Sequence, residues 1–148
     1  MISARHNRIN IATDHILNDY SFFSNPDQYI NQDNFYVYEN GFYVLDAEAF
    51  IFDKLNELFP NNFKYYSHIR DVINNIQHLS PVIPYDQIDP LHLTTFLNGT
   101  FDKTLNNLFS HSPRFYTTKQ IPNNYIIQEN SSSITSSLKR LEMLNYVD

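Results

Sequence analysis

The chain has 148 residues with 12 Phe and 11 Tyr but neither Trp nor Cys, so rings must build much of its core and no disulfide or thiolate metal site is possible. A formal net charge of −6, from 16 acidic and 10 basic residues, argues against a dominant sequence-independent attraction to phosphate, so any nucleic-acid contact must be local. No apolar run approaches the roughly 20 residues that cross a bilayer, and we expect a cytoplasmic protein with no membrane partner.

The first predicted element is an amphipathic helix over residues 8–20. Ile9, Ala12 and Ile16 recur there at helical spacing on one face. The triplet Asn25-Pro26-Asp27 follows, and its turn-forming residues predict a break after this helix.

An Asn-Gly pair inside an aromatic run predicts the second element. Asn40-Gly41 lies between two strand-like runs, and such a pair signals a two-residue hairpin because both turn positions need positive φ. The predicted register pairs Glu39 with Phe42, Tyr38 with Tyr43, Val37 with Val44 and Tyr36 with Leu45. Neither face of this hairpin is polar.

Two further amphipathic helices are predicted after the hairpin. The second helix begins after Asp46, a good N-cap residue, and stops at Pro60. The third covers residues 64–79 and ends before Ser80-Pro81. We expect the second helix to cover one face of the hairpin, and the third helix or a neighbouring subunit, rather than bases, to cover the other.

The later part of the chain predicts more β-structure. The Pro-rich segment 81–90 is interpreted as a linker or extended loop. Residues 92–97 and 100–105 predict a second hairpin around Asn98-Gly99, and residues 114–121 predict another strand. A last helix is predicted from the serines at 131–133 onward. These elements predict an α+β fold, with short antiparallel β-hairpins packed with amphipathic helices in a single compact domain.

Signatures of catalysis and of metal binding are absent from the sequence. It contains no Gly-rich phosphate loop, no H-E-x-x-H and no nucleophile elbow. No two of its six His residues have the i, i+4 spacing that directs two imidazoles toward one metal. We therefore predict no catalytic residue, no metal and no cofactor. A Mg²⁺-dependent nuclease using Asp86 and Asp89 is the least favoured hypothesis, because two loop carboxylates need further ligands.

Basic residues are the candidate contacts to nucleic acid. They are Arg5, Arg8, Lys64, Arg70, Lys103, Arg114 and Lys119. Arg114 and Lys119 bracket Phe115 and Tyr116, a mixture that suits a single strand, since a ring can stack on a base while a cation meets phosphate. The alternative is that this segment is a solvated edge strand.

Four blocks of sequence, in order, resemble a known family. They are the helix at residues 11–20, FYVYENGFYV at 35–44, FLNGTFD at 96–102, and HSP at 111–113 continuing through Ile121-Pro122 to Tyr125. These blocks resemble the N-terminal domain that precedes the helicase core in superfamily 3 primase-helicases of phages, plasmids, mobile elements and poxviruses. The residues that carry the resemblance are Tyr38, Asn40, Gly41, Tyr43, Asn98, Gly99, Asp102, Ser112, Pro113, Pro122 and Tyr125.

The resemblance implies a place ahead of an ATP-driven hexameric motor in DNA replication. Residues 1–130 would be the helicase N-terminal domain, and residues 131–148 a helix leading to a motor outside this chain. ATP and Mg²⁺ would serve the motor, and this chain, which has no Walker sequence, would be non-catalytic. It would engage DNA, form a collar of the hexamer, or dock another replication protein.

A second hypothesis belongs to a different class. The small size of the chain and its net charge of −6 also suit a free-standing acidic interaction protein, such as a phage-type inhibitor or a DNA mimic. A reading frame that continues into G-x-x-x-x-G-K-[ST] would favour the helicase module, whereas a stop codon after Asp148 would favour the acidic protein.

Overall fold

Two three-stranded antiparallel sheets and three helices form the part of the chain that the structure describes, residues 3–27 and 32–126 of a computed structural model. The first sheet and the helices comprise α1 (Ala4–Asp19), β1 (Phe22–Asp27), β2 (Gln32–Glu39), β3 (Phe42–Leu45), α2 (Ala47–Leu58) and α3 (Tyr66–Leu79). The second sheet comprises β4 (Leu93–Phe96), β5 (Gly99–Asp102) and β6 (Asn107–Phe109). Single 3-10 turns lie at Tyr85–Gln87 and Pro113–Phe115. The predicted α+β class is confirmed.

The three helices predicted before residue 80 are present; the starts of α1 and α3 are shifted, whereas α2 starts directly after Asp46 as predicted. α1 begins earlier than predicted because the Oγ of Ser3 accepts a hydrogen bond from the His6 N–H at 3.2 Å. Asp46 occupies the N-cap position of α2 as predicted, but its side chain makes no capping hydrogen bond. α3 begins at Tyr66 and also lacks a side-chain cap. Periodicity therefore located the helices better than it located their ends.

The first hairpin has the predicted turn and register. All four predicted pairs are present, from Tyr36 with Leu45 to Glu39 with Phe42. Asn40 and Gly41 have φ values of 55° and 95°, as a two-residue turn of this kind requires. A Cβ on Gly41 would lie 2.6 Å from the ring of His111, so this position needs glycine for space as well as for its backbone angle.

β1 is a strand that the sequence pattern does not predict. Its register pairs Phe22 with Val37 and Pro26 with Asp33, so the triplet at 25–27 closes a strand. Proline is tolerated there because β1 lies at the edge of its sheet. Its two consecutive Phe residues conceal the alternation that marks a strand in a sequence.

The two faces of the first sheet have different covers. On one face, Phe22, Phe35 and Val37 form a core with all three helices. The other face carries Phe23, Tyr36, Tyr38 and Tyr43, which pack against Ile83, Ile88 and Tyr116. The expectation that α3 covers the ring-rich face is wrong, because the apolar stripe of α3 joins the same core as α1 and α2. Loop segments of the same chain cover the rings instead.

The second hairpin is present, but its turn is displaced by one residue from the prediction. Phe96 pairs with Gly99, so Leu97 and Asn98 are the turn residues. Gly99 starts β5 at φ 151°, and a Cβ there would collide with the carbonyl oxygen of Phe109 in β6. Gly99 is therefore required by the close approach of a neighbouring strand, and its predicted role as a turn residue is wrong.

The predicted strand over residues 114–121 is also wrong. Pro113–Phe115 forms a 3-10 turn, and the chain after it divides its backbone hydrogen bonds between the two sheets. The Thr117 carbonyl accepts from the Tyr43 N–H at 2.8 Å, whereas the Ile121 N–H donates to the Thr95 carbonyl at 2.9 Å. A segment that bonds to two different sheets cannot form a continuous ladder with either.

The Pro-rich segment 81–90 is more than a linker. Ile83 is buried against the ring-rich face, and its N–H donates to the carbonyl of Ser24 in β1 at 2.9 Å. The Asp89 N–H donates to the Tyr116 carbonyl at 3.1 Å. The segment thus covers the first sheet. The helix predicted for residues 131–148 lies outside the described residues.

Candidate nucleic-acid interface

α1 and α3 lie side by side and run in the same direction. Near their starts, Arg5 of α1 forms an ion pair with Asp71 of α3, with 2.6 Å between Nη2 and Oδ2. Near their ends, Leu17 and Leu79 line the same cleft. The amino-terminal ends of both helices therefore lie at one end of the molecule, together with the loop between α2 and α3.

Four of the seven basic residues predicted to contact nucleic acid meet at this end. Arg8 donates from Nη1 to the Asn62 carbonyl at 3.0 Å, which places it beside the loop that carries Lys64. Arg70 lies one helical turn after Tyr66 and forms an ion pair with Glu48 at 3.1 Å. Its hydrogen bond with the Glu48 carboxylate raises the pKa of Arg70. Arg5 is paired as well, so Arg8 and Lys64 are the two without a carboxylate partner among the described residues.

Two exposed tyrosine rings stand among these cations. Tyr65 and Tyr66 follow Lys64 directly and are 66% and 70% exposed. The ring of His68 meets the ring of Tyr65 edge-on, with 5.2 Å between centroids. We call the set formed by Arg8, Lys64, Tyr65, Tyr66 and Arg70 the Tyr65–Tyr66 surface. Its cations can meet phosphates and its rings can meet bases.

The helix ends add to the positive potential of this surface. Neither α1 nor α3 has an acidic residue in its first turn, and no side chain caps α3. The first N–H groups of a helix carry a partial positive charge, which acts in the same direction as Arg8 and Lys64.

Sequence reasoning missed both tyrosines of this surface. Tyr65 and Tyr66 lie four and three residues before Ile69, so helical periodicity places them beside the apolar stripe of α3. Their position directly after Lys64 was the one available signal, because adjacent basic and aromatic residues suit single strands.

The other predicted basic residues lie elsewhere. Arg114 lines a cleft of about 400 Å³ at the carboxyl ends of α1 and α3, and a second cleft of about 570 Å³ beside Asp86. Its guanidinium lies 5.4 Å from the ring centroid of Phe115. Lys103 follows β5, and Lys119 is exposed in the segment between the sheets. These three residues do not join the Tyr65–Tyr66 surface.

The stacking role predicted around Arg114 is not supported by the position of Tyr116. That ring is stacked on Tyr43, with 5.7 Å between centroids, and meets Phe23 edge-on at 5.4 Å. Tyr116 therefore belongs to the cover of the first sheet, with its ring stacked on Tyr43.

Residues from the second, third and fourth blocks of the resemblance meet where the two hairpin turns lie close together. His111 packs against Gly41 and donates from Nε2 to the Leu97 carbonyl at 2.8 Å. The side chain of Gln120 donates to the Asn40 carbonyl at 2.9 Å and reaches the Phe96 carbonyl at 3.4 Å. We call this contact region the turn junction. It connects the two sheets.

Other residues of the resemblance hold single loops. Asn98 donates from Nδ2 to the Tyr125 carbonyl at 2.9 Å and accepts from the Tyr125 N–H at 2.8 Å. Oδ1 of Asp102 accepts from the N–H groups of Thr104 and Leu105, which forms the turn into β6. Ser112 accepts from the Arg114 N–H at 3.4 Å, at the start of the turn that contains Pro113. Pro122 is exposed beside Ile121. These positions are structural.

Tyr43 and Tyr38, which also carry the resemblance, lie on the ring-rich face. Tyr43 is 3% exposed, and burial raises its pKa, with smaller contributions from Tyr116 and Tyr38. Burial also raises the pKa of Tyr38, whose hydroxyl is buried and has no hydrogen-bond partner among the described residues. Neither ring is available to a base.

Asp86 and Asp89, the two loop acids, are not arranged as a pair of metal ligands. Asp89 accepts hydrogen bonds from both the N–H and the hydroxyl of Thr118, whereas Asp86 lies exposed in the 3-10 turn at 85–87. Within residues 3–27 and 32–126, no cluster of three His, Cys, Asp or Glu side chains could hold a metal ion. None of the helices in these ranges has the length and apolar character needed to cross a membrane.

Comparisons with known proteins place the chain in no family. No protein-family model matches the sequence, and no curated protein matches it. The resemblance to primase-helicase domains therefore stays a prediction.

Proposed function

We propose that this chain is a non-catalytic, cytoplasmic N-terminal module of a phage-type or mobile-element replicative helicase, and that it engages DNA. The observation that carries DNA engagement is the meeting of Arg5, Arg8, Lys64 and Arg70 at one end of a protein whose net charge is −6. Local positive charge on an acidic protein favours a defined contact over general attraction to phosphate.

The turn junction supports the module part of the proposal. Residues that carry the resemblance make structural contacts: Gly41 packs against His111 at the turn junction, and Asn98 holds the backbone of Tyr125 beside the second sheet. Such residues define a scaffold, which leaves the outer surface to differ between modules. ATP and Mg²⁺ would belong to the parent motor, and this module would also be available to subunits of the hexamer or to other replication proteins.

Fluorescence anisotropy with forked and single-stranded DNA at low salt tests DNA engagement. We expect binding that weakens when Arg8→Gln and Lys64→Gln are combined, because neither cation has a carboxylate partner among the described residues. The slope of log affinity against log salt should fall by about 0.7 to 0.9 for each phosphate that the variant no longer neutralises. Lys119→Gln is the matched control, since Lys119 is exposed but lies away from the surface. If the unaltered protein binds neither DNA at low salt, the proposal of DNA engagement fails.

The acidic interaction protein is the second candidate, and the net charge favours it. It would bind a basic partner and not DNA. Sequencing the gene beyond Asp148 separates the two candidates, because only the helicase module requires a Walker sequence downstream in the same reading frame.

A further inference from the structure

We propose that the Tyr65–Tyr66 surface binds single-stranded DNA by stacking unpaired bases on Tyr65 and Tyr66 while Arg8 and Lys64 contact the flanking phosphates. This inference rests on the proposed DNA engagement and adds the form of DNA, the mode of contact and the residues responsible.

The exposure of these rings is the first argument. Much of this chain buries its tyrosines in ring contacts, as it does with Tyr43, which is 3% exposed. Tyr65 and Tyr66 are 66% and 70% exposed at the start of α3, although Phe63 before them and Ile69 after them are both buried in the core. Rings left in water at adjacent positions offer apolar, flat surface to a ligand with flat faces.

Charge around the rings identifies the kind of ligand. Lys64 precedes the two tyrosines, and Arg8 contacts the same loop through the Asn62 carbonyl. Tyr85, the other strongly exposed tyrosine among the described residues at 84%, is followed by Asp86. Within the described part of the chain, the Tyr65–Tyr66 surface therefore combines two strongly exposed rings with two cations that have no carboxylate partner. A ligand that complements it has flat apolar groups joined by negative charges, which describes a nucleic-acid strand.

The conformation of the two tyrosines favours a single strand over a duplex. Tyr65 has an extended backbone, with φ −107° and ψ 131°, whereas Tyr66 is the first residue of α3, so the two rings leave the chain in different directions. The edge-on contact with His68 holds the ring of Tyr65. Separated rings can accept bases that are unstacked from one another, and duplex bases present no free faces. Stacking on rings is also tolerant of base sequence.

The decisive experiment measures the affinity of the whole chain for oligothymidine and for a duplex of the same length by fluorescence anisotropy. We expect tighter binding to oligothymidine. The double variant Tyr65→Ala/Tyr66→Ala should lose about tenfold or more of that affinity, with little change for duplex. Tyr65→Phe/Tyr66→Phe should retain it, because phenyl rings stack as well. Tyr85→Ala is the matched control and should bind like the unaltered protein.

The results separate this inference from the proposed function. Equal affinity for single strand and duplex, or unchanged oligothymidine binding in the double Ala variant, would overturn the stacking inference and leave DNA engagement standing. Failure of the unaltered protein to bind any DNA would overturn both. Circular dichroism and thermal unfolding of the variants show whether the fold is intact, and retention of binding by the Phe variant distinguishes a missing ring from a disrupted structure.

Discussion

Tyr38 illustrates how one side chain can combine favourable and unfavourable contacts. Its ring meets the ring of Tyr43 at 5.1 Å on the covered face of the first sheet. Its hydroxyl is buried, and no group within residues 3–27 and 32–126 forms a hydrogen bond with it. The ring therefore contributes packing, whereas the hydroxyl gives up its hydrogen bonds to water without replacement.

We expect opposite results from two substitutions of Tyr38. Tyr38→Ala should lower the free energy of unfolding by a few kcal/mol, about 2 to 4, because it leaves a cavity beside Tyr43. Tyr38→Phe should leave stability unchanged or raise it slightly, because it removes an unsatisfied buried hydroxyl. Urea unfolding of the three proteins measures both effects. A destabilisation of about 2 kcal/mol or more in Tyr38→Phe would show that the hydroxyl makes a stabilising interaction.

The glycines show what residue-level signals could and could not establish. Both Asn-Gly pairs predicted a turn. Gly41 fulfils that prediction at φ 95°, but Gly99 lies in β5, where Phe109 leaves no room for a Cβ. The dipeptide signal reports local backbone preference, and the approach of β6 is a contact between residues ten apart that no dipeptide contains.

At the scale of elements, the side chain of Asn98 binds the backbone of Tyr125 as a neighbouring strand would. Its side-chain amide makes the two hydrogen bonds that a neighbouring backbone would make to Tyr125. These bonds hold the ring of Tyr125 against Phe101, with the rings stacked at 4.5 Å. The segment that follows Ile121 is thereby fixed to the second sheet.

Removing this amide should loosen the second sheet from its covering segment. Asn98→Ala should lower the free energy of unfolding by about 1 to 3 kcal/mol, because the Tyr125 N–H and carbonyl lose their partners. Asn98→Asp should also destabilise, since a carboxylate cannot donate to the Tyr125 carbonyl. Asn61→Ala, at an exposed loop position, is the control. Chemical denaturation provides the comparison, and a neutral Asn98→Ala would mean that Tyr125 is held by ring packing alone.

Elements with a strong period were predictable, and elements defined by their partners were not. The register from Tyr36 with Leu45 to Glu39 with Phe42 followed from one turn, because a two-residue loop fixes every later pair. β1 was missed because its consecutive Phe residues break the alternation, and β6 because it has only three residues; both acquire strand geometry from a neighbour. Residues 114–121 were predicted as a strand, but this segment bonds to two sheets.

At the scale of the whole molecule, the ring-rich face makes stability depend on pH. Burial raises the pKa of Tyr36, Tyr38 and Tyr43 in the folded state. Below about pH 10 these tyrosines are protonated in both states. Above that pH the unfolded chain releases protons that the folded chain retains, so the free energy of unfolding falls as pH rises.

The expected outcome is alkaline unfolding that Tyr43 helps to drive. As pH rises above about 10, unfolding in urea should need progressively less denaturant. Tyr43→Phe should show a shallower decline, because it removes one of the titrating groups, whereas Tyr65→Phe, at an exposed position, should not. Phenolate absorbance would follow the delayed ionisation of Tyr43 in the folded protein. A decline of equal slope in Tyr43→Phe would contradict this account.

The candidate interface also belongs to the whole molecule. Lys64 and Arg70 could be singled out from the sequence as basic residues. The sequence did not show that Arg8 lies beside the loop of Lys64, or that Arg114 lies at the far end of α1 and α3. Nor could periodicity reveal that Tyr65 and Tyr66 are exposed between the buried residues Phe63 and Ile69, since their spacing from Ile69 suits a buried stripe.

By itself the sequence determined the helices, the first hairpin with its register, and the α+β class. These depend on contacts between residues close in the chain, whose side-chain period and turn chemistry are local properties. The tertiary structure alone decided that all three helices share one face, that loops cover the other, and that the cations separate into distant groups. The reason is physical: the apolar stripe of a helix and the charge of a side chain are local properties, and they do not specify which distant surface they will contact.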